Sequence, residues 1–185
     1  MRKLKPLKGA EGLPGLGPKN TRLPTIALYS ETLGDKDTDP LVMQIWQTLG
    51  GRERDYKLAQ QAATLKTEKL PEATTLELVI FLWLKEKGYQ FEYQVQVNGG
   101  RRDVGGSVVD FVVRSGRNWA IRAQGDYYHS SYEQQGLDDM RKKLLIGAYA
   151  GQYQIDGVVD VWEGSVYADR ETVMSQAVAG YQLPH

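Results

Sequence analysis

The chain has no cysteine and only two histidines in 185 residues, one of them the last residue, His185. The first absence excludes disulfides, thiolate metal sites and cysteine nucleophiles, and the second argues against a histidine-rich zinc site. No window approaches the roughly 18 consecutive apolar residues of a membrane span. Met1 to Lys8 alternates Lys and Arg with Leu and Pro, so the apolar run of a secretory signal is missing. The expectation is an intracellular or particle-enclosed protein with no membrane partner. Net charge is lacking as well, with 23 basic residues against 23 acidic. A dedicated duplex-DNA binder usually presents a basic body. Nucleic acid therefore stays open as a partner without support from overall charge.

The charge that is present is unevenly placed. Residues 1–24 hold six basic residues (Arg2, Lys3, Lys5, Lys8, Lys19, Arg22) against one acid, Glu11, a net of about +5, which leaves about −5 for the rest. The same segment contains Pro6, Pro14, Pro18 and Pro24 with Gly9, Gly12, Gly15 and Gly17. Such a stretch forms no regular helix or strand. It reads either as a tail or as an extended arm that orders on a neighbouring subunit or on nucleic acid, its charge favouring an acidic partner. The chain divides into an extended basic arm over residues 1–38, a helical segment over 39–70 and an α/β domain over 71–185.

Asp39-Pro40 starts a helix, with Asp as N-cap and Pro at the first helical position, and Gly50-Gly51 stops it. Its apolar stripe is Leu41, Val42, Ile45, Trp46 and Leu49. A more polar helix runs from about Arg52 to Lys69, with Leu58, Ala62 and Leu65 on one face. The strongest helix runs from Thr75 to Lys87, where Leu76, Val79, Ile80, Trp83 and Leu84 give a core-facing spacing. Tyr89 to Val97 alternates as a half-buried strand. Two further strands flank the polar turn Ser115-Gly116-Arg117-Asn118, one carrying Asp110 and the other Arg122 and Gln124. Gln135 to Tyr149 reads as a helix with Leu137, Met140, Leu144 and Leu145 inward. Val158 to Trp162 is a short strand, and Asp169 to Ala179 a last helix burying Val173, Met174, Ala177 and Val178.

A carboxylate facing a polar pair across adjacent strands is how many metal-dependent nucleases hold a divalent ion. Several local phrases strengthen the comparison: Glu77 before Phe81-Leu82-Trp83, then Phe91-Glu92-Tyr93-Gln94-Val95-Gln96-Val97, then Val109-Asp110-Phe111. Ile121-Arg122-Ala123-Gln124-Gly125 follows with His129 beyond it, then Asp138-Asp139-Met140-Arg141 and Val158 to Trp162. In order and spacing this resembles the very-short-patch-repair-like branch of the PD-(D/E)XK nuclease superfamily, over about 110 residues from Thr74 to Gly180. The resemblance implies a restriction-endonuclease-like α/β core, a central mixed sheet flanked by helices. It also implies phosphodiester cleavage assisted by Mg or Mn, with Glu77 and Asp110 as ligands and His129 as general acid or phosphate contact. The positions that should add a carboxylate and a further charged group are Arg122 and Gln124.

An Arg cannot ligate a cation. At around 4 Å and an effective dielectric near 20, each unit-charge interaction is worth roughly 4 kcal/mol. A guanidinium would thus cancel about one ligand's attraction. The expectation is that Arg122 replaces the metal, pairing with Asp110 and Glu77, so that no cofactor is held. Other roles stand beside these. Thr74-x-x-Glu77 is a capping box, His129 can be a polar loop residue, and Asp126 can substitute as a ligand if the strand bulges. Asp138 and Asp139 suit a helix's first turn. Arg101-Arg102 and Lys142-Lys143 suit solvent or phosphate.

The reading that follows is a nuclease-fold protein with an inactivated metal site. It would serve as a structural or binding component of a larger assembly, such as a virion or nucleoprotein particle, with residues 1–24 reaching protein partners or further copies. The alternative is an active metal-dependent DNA endonuclease using Glu77, Asp110, Asp126 and His129. A plain nucleic-acid binder is a third reading.

Overall fold

A computed structural model describes residues 39–98, 100, 106–125 and 140–183. From Pro40 onward they belong to one compact unit, so the helices before residue 71 are part of the same body as the sheet. The arm over residues 1–38, the Arg101-Arg102 pair, Asp126, His129, Asp138 and Asp139 lie outside the described residues.

Helix α1, Pro40–Thr48, buries Val42, Ile45 and Trp46, and Leu49 follows them into the core. Gly50 and Gly51, both with positive φ, turn the chain where a side chain would be strained. Trp46 Nε1 donates to the Arg52 carbonyl at 2.8 Å, and the Trp46 and Tyr56 rings meet edge to face. A short 3₁₀ turn, Glu53–Asp55, leads into α2, Tyr56–Glu68, which packs through small residues, Ala59, Ala62 and Ala63, with Leu65. Helix α3, Thr75–Glu86, buries the predicted stripe together with Leu78.

The sheet has six strands: β1 Gln90–Val97, β2 Ser107–Arg114, β3 Asn118–Gln124, β4 Tyr149–Ala150, β5 Tyr153–Gln154 and β6 Gly157–Trp162. Its order is β5-β4-β1-β2-β3-β6, antiparallel except for the parallel pair β3–β6. The expected α/β class, with a mixed sheet and flanking helices, is therefore what the chain adopts. On one face the Phe81 ring of α3 meets Phe91 and Tyr93 edge to face, and Tyr93 reaches Phe111. Helix α4, Glu163–Val178, covers β6 and β3. Trp83 Nε1 of α3 donates to Glu171 of α4 at 2.9 Å, and Lys87 pairs with the same carboxylate. On the other face Leu145 packs with Val112, Ala120 and Val158.

Three expectations need correction. Residues 140–145 are helical, but Met140 and Leu144 are 65% and 64% exposed and Leu145 alone among the described members turns inward, Leu137 lying outside the described residues. Tyr149 starts β4 rather than ending that helix, in a small hairpin that turns at Gly151-Gln152. Finally, α4 begins at Glu163, and Asp169 marks a break inside it, with φ −146° and ψ 79°. Asp169 Oδ1 accepts from Thr172 N at 3.2 Å, capping the second half. That local cap is the signal that suggested a helix start there.

The far end of the sheet is locked by an indole. A Cβ built on Gly157 would lie 2.2 Å from Trp119, and one on Gly180 2.1 Å from the same ring. Trp119 thus fills space between two glycine backbones, one on β6 and one just past α4. Overpacking of this kind costs about 1–3 kcal/mol. Gly157→Ala is therefore expected to lower unfolding stability in urea by about 2 kcal/mol, and to cost much less when combined with Trp119→Leu. Equal costs in both backgrounds would contradict the clamp.

Candidate functional site

Regular alternation should put Val109 on the same side as Phe111 and Val113. Instead Val109 packs in one buried cluster with Val112, Ala120 and Val158. The phase changes at Asp110, and in the facing strand at Gln94, whose φ is 53°. The β1–β2 register omits both residues, passing from Tyr93↔Phe111 to Val95↔Val109. The β2–β3 ladder also stops one step short of Asp110, at Phe111↔Ile121. Beyond that point the Asp110 carboxylate takes over, its Oδ2 accepting from Ala123 N–H at 2.8 Å. A side chain thus replaces a backbone carbonyl where the two strands separate.

Glu77 stands at the first turn of α3 and closes the capping box: Glu77 N–H donates to Thr74 Oγ1 at 3.2 Å and Thr74 N–H to Glu77 Oε2 at 2.7 Å. The other oxygen, Oε1, accepts from Gln94 Nε2 at 2.9 Å. Glu77, Tyr93, Gln94 and Asp110 line a cavity of about 590 Å³ under the 69–74 turn. Burial, then the negative charge of Glu77, raises the Tyr93 hydroxyl to a pKa of about 12. The phenol therefore stays protonated and is no base at neutral pH.

Arg122 and Gln124 point into a different group. In the parallel ladder Arg122 pairs with Asp160, and Arg122 Nε donates to Asp160 Oδ1 at 2.6 Å. Lys142 Nζ meets the other oxygen at 2.5 Å, and Gln124 Nε2 lies 3.5 Å from Oδ1. Asp160 is 6% exposed. Arg122 was expected to pair with Asp110; it pairs with Asp160, because the parallel neighbour sits beside it in register whereas Asp110 is turned to the Ala123 amide. Burial alone would raise the Asp160 pKa, but the hydrogen bonds from Arg122 and Lys142 outweigh it and hold the carboxyl below its ordinary range. The three charges leave a net of about +1.

Sequence reasoning missed Asp160 and the role of Lys142. The usable signal was a charge inside an apolar strand, Val158-Val159-Asp160-Val161, the same signal that singled out Asp110. A Mg²⁺ ion takes about six oxygen ligands at roughly 2.0–2.1 Å. Here both Glu77 oxygens and one Asp110 oxygen already accept N–H donors, and the β3 position supplies a cation. The described residues do not fit a divalent ion, and among them no group of three potential ligands converges. Among the described residues no helix is long and apolar enough to cross a membrane. No family model, curated protein or solved structure matches the chain.

Removing one partner of a buried ion pair costs about 3–5 kcal/mol. Asp160→Asn is expected to lose about 3 kcal/mol at neutral pH. Because the folded pKa is depressed, this contribution is full above the unfolded value of about 3.9 and fades as pH falls through the lower folded value. Urea melts at neutral and acid pH check this; a deficit that does not shrink in acid would contradict it.

Proposed function

We propose that this chain is a restriction-endonuclease-like protein of the PD-(D/E)XK type with an inactivated metal site, its β3 positions turned to a structural ion cluster on Asp160. It works by binding within a larger assembly rather than by cutting nucleic acid. The observation that carries the reading is the Arg122 guanidinium bonded to buried Asp160, with Lys142 on the remaining oxygen. A catalytic site would bring a carboxylate from these β3 positions beside Glu77 and Asp110. Instead both β3 side chains turn to Asp160 and add no negative charge to the cavity of Glu77 and Asp110. The basic Pro/Gly segment over residues 1–24 gives the binding reading its partner chemistry, an acidic surface on a protein or a nucleoprotein particle.

One observation favours the second reading, an active endonuclease of the very-short-patch-repair type using Mg or Mn. Glu77 and Asp110, on different elements, line the same cavity. Asp126 and His129 would have to complete that site.

Plasmid DNA incubated with the purified chain and Mn²⁺ separates the two. The binding reading expects no nicking above that of Asp110→Ala, and no saturable Mn²⁺ heat in calorimetry. Nicking that Asp110→Ala abolishes would overturn it.

A further inference from the structure

The helical turn that carries Lys142 and Leu145 has an apolar outer side. Residues 140–145 are helical, and Ile146 N–H donates to the Lys142 carbonyl at 3.2 Å, so the same winding continues through Ile146. At about 100° per residue, Lys142 and Leu145 fall on the inner side, where Lys142 meets Asp160 and Leu145 enters the core. Ile146, Lys143, Met140 and Leu144 follow one another around the outer side. Met140, Leu144 and Ile146 are 65%, 64% and 52% exposed. Single exposed apolar side chains need no explanation, but a contiguous group of them marks a contact surface.

The charge of this face has one sign. Arg141 and Lys143 are exposed beside the apolar group, and residues 140–155 contain no Asp and no Glu. The face therefore suits an occupant that is both apolar and acidic. It disfavours the same face of a second copy, which would set cations against cations.

The chain itself carries a segment of that composition. Residues 25–38 hold the apolar run Ile26-Ala27-Leu28-Tyr29 and then Leu33, with Glu31, Asp35 and Asp37 against Lys36 alone. Residues 1–24, with a net of about +5, match the face poorly. The segment leads into Pro40, the first residue of α1. Helix α1 packs on α2 and α2 on α3, so Pro40 belongs to the α3 side of the sheet. The apolar face lies on the opposite side, with Leu145. A neighbouring copy can bring its face to the segment directly.

We infer that residues 25–38 of one copy dock on the Met140, Leu144 and Ile146 face of a second copy. The apolar run covers the three exposed side chains, and Glu31, Asp35 and Asp37 answer Arg141 and Lys143. Unlike surfaces pair, so every copy both gives a segment and receives one. This inference is independent of whether the chain cleaves nucleic acid.

Sedimentation velocity on full-length chains tests it. The wild type is expected to self-associate as concentration rises. Arg141→Glu/Lys143→Glu reverses the charge of the face, and Glu31→Lys/Asp35→Lys reverses that of the segment; thermal melts matching the wild type confirm folding. Each variant alone sets like charges together and is expected to associate at least about tenfold more weakly. An equimolar mixture of the two sets opposite charges together again and is expected to recover association, which only contact between copies can produce. Met140→Ser/Leu144→Ser, which alters two exposed residues and no charge, is expected to weaken association about tenfold. A wild type that stays monomeric at every concentration overturns the inference and leaves the face to another protein. A mixture no more associated than its components overturns it, as does self-association that Met140→Ser/Leu144→Ser leaves unchanged.

Discussion

One buried carboxylate organises this molecule. Asp160, in the middle of an apolar strand, is held by a guanidinium from the neighbouring strand and an ammonium from a helix on the sheet face. Left alone at that depth it would cost several kcal/mol and would take up a proton. Its partners therefore have to stay in place. Arg122 is fixed by the parallel register of β3 and β6, and Lys142 by the helical turn that also delivers Leu145 to the core. Strand order, helix position and the charge balance of the site are coupled through this contact.

Asp160 holds two cations, while in the separate cavity both Glu77 oxygens and one Asp110 oxygen accept N–H donors. Asp110 has been recruited into the backbone, bonding the Ala123 amide at the point where β2 and β3 part. Glu77 serves the helix terminus and Gln94. Among the described candidates, Glu77 and Asp110 each meet a local need, an uncapped helix and an unpaired amide.

Much of the architecture is legible from residue order. The i, i+3, i+4 stripe of α3, the alternation in β1 and the apolar runs of β2, β3 and β6 each select one structure, because each period matches one geometry. Glu77 as a capping residue follows from Thr74 three positions earlier. Asp160 was as visible as Asp110, since both interrupt apolar strands. Its partner was not legible, because the parallel neighbour of Arg122 lies 38 positions away and nothing local fixes that register. The outward Met140 and Leu144 misled for a related reason. Apolar periodicity reports which side chains could be buried, while the thickness of the covering layer decides how many are. Two-residue strands such as β4 and β5 leave almost no pattern to read.

Arg122 and Lys142 keep Asp160 ionised in the core. Carbon-13 NMR of the Asp160 carboxyl through an acid titration reports this directly. The wild type should titrate below the ordinary value of about 3.9, and Arg122→Met should move the midpoint upward. An Asp160 that titrates at the ordinary value, unmoved by loss of the guanidinium, would contradict it.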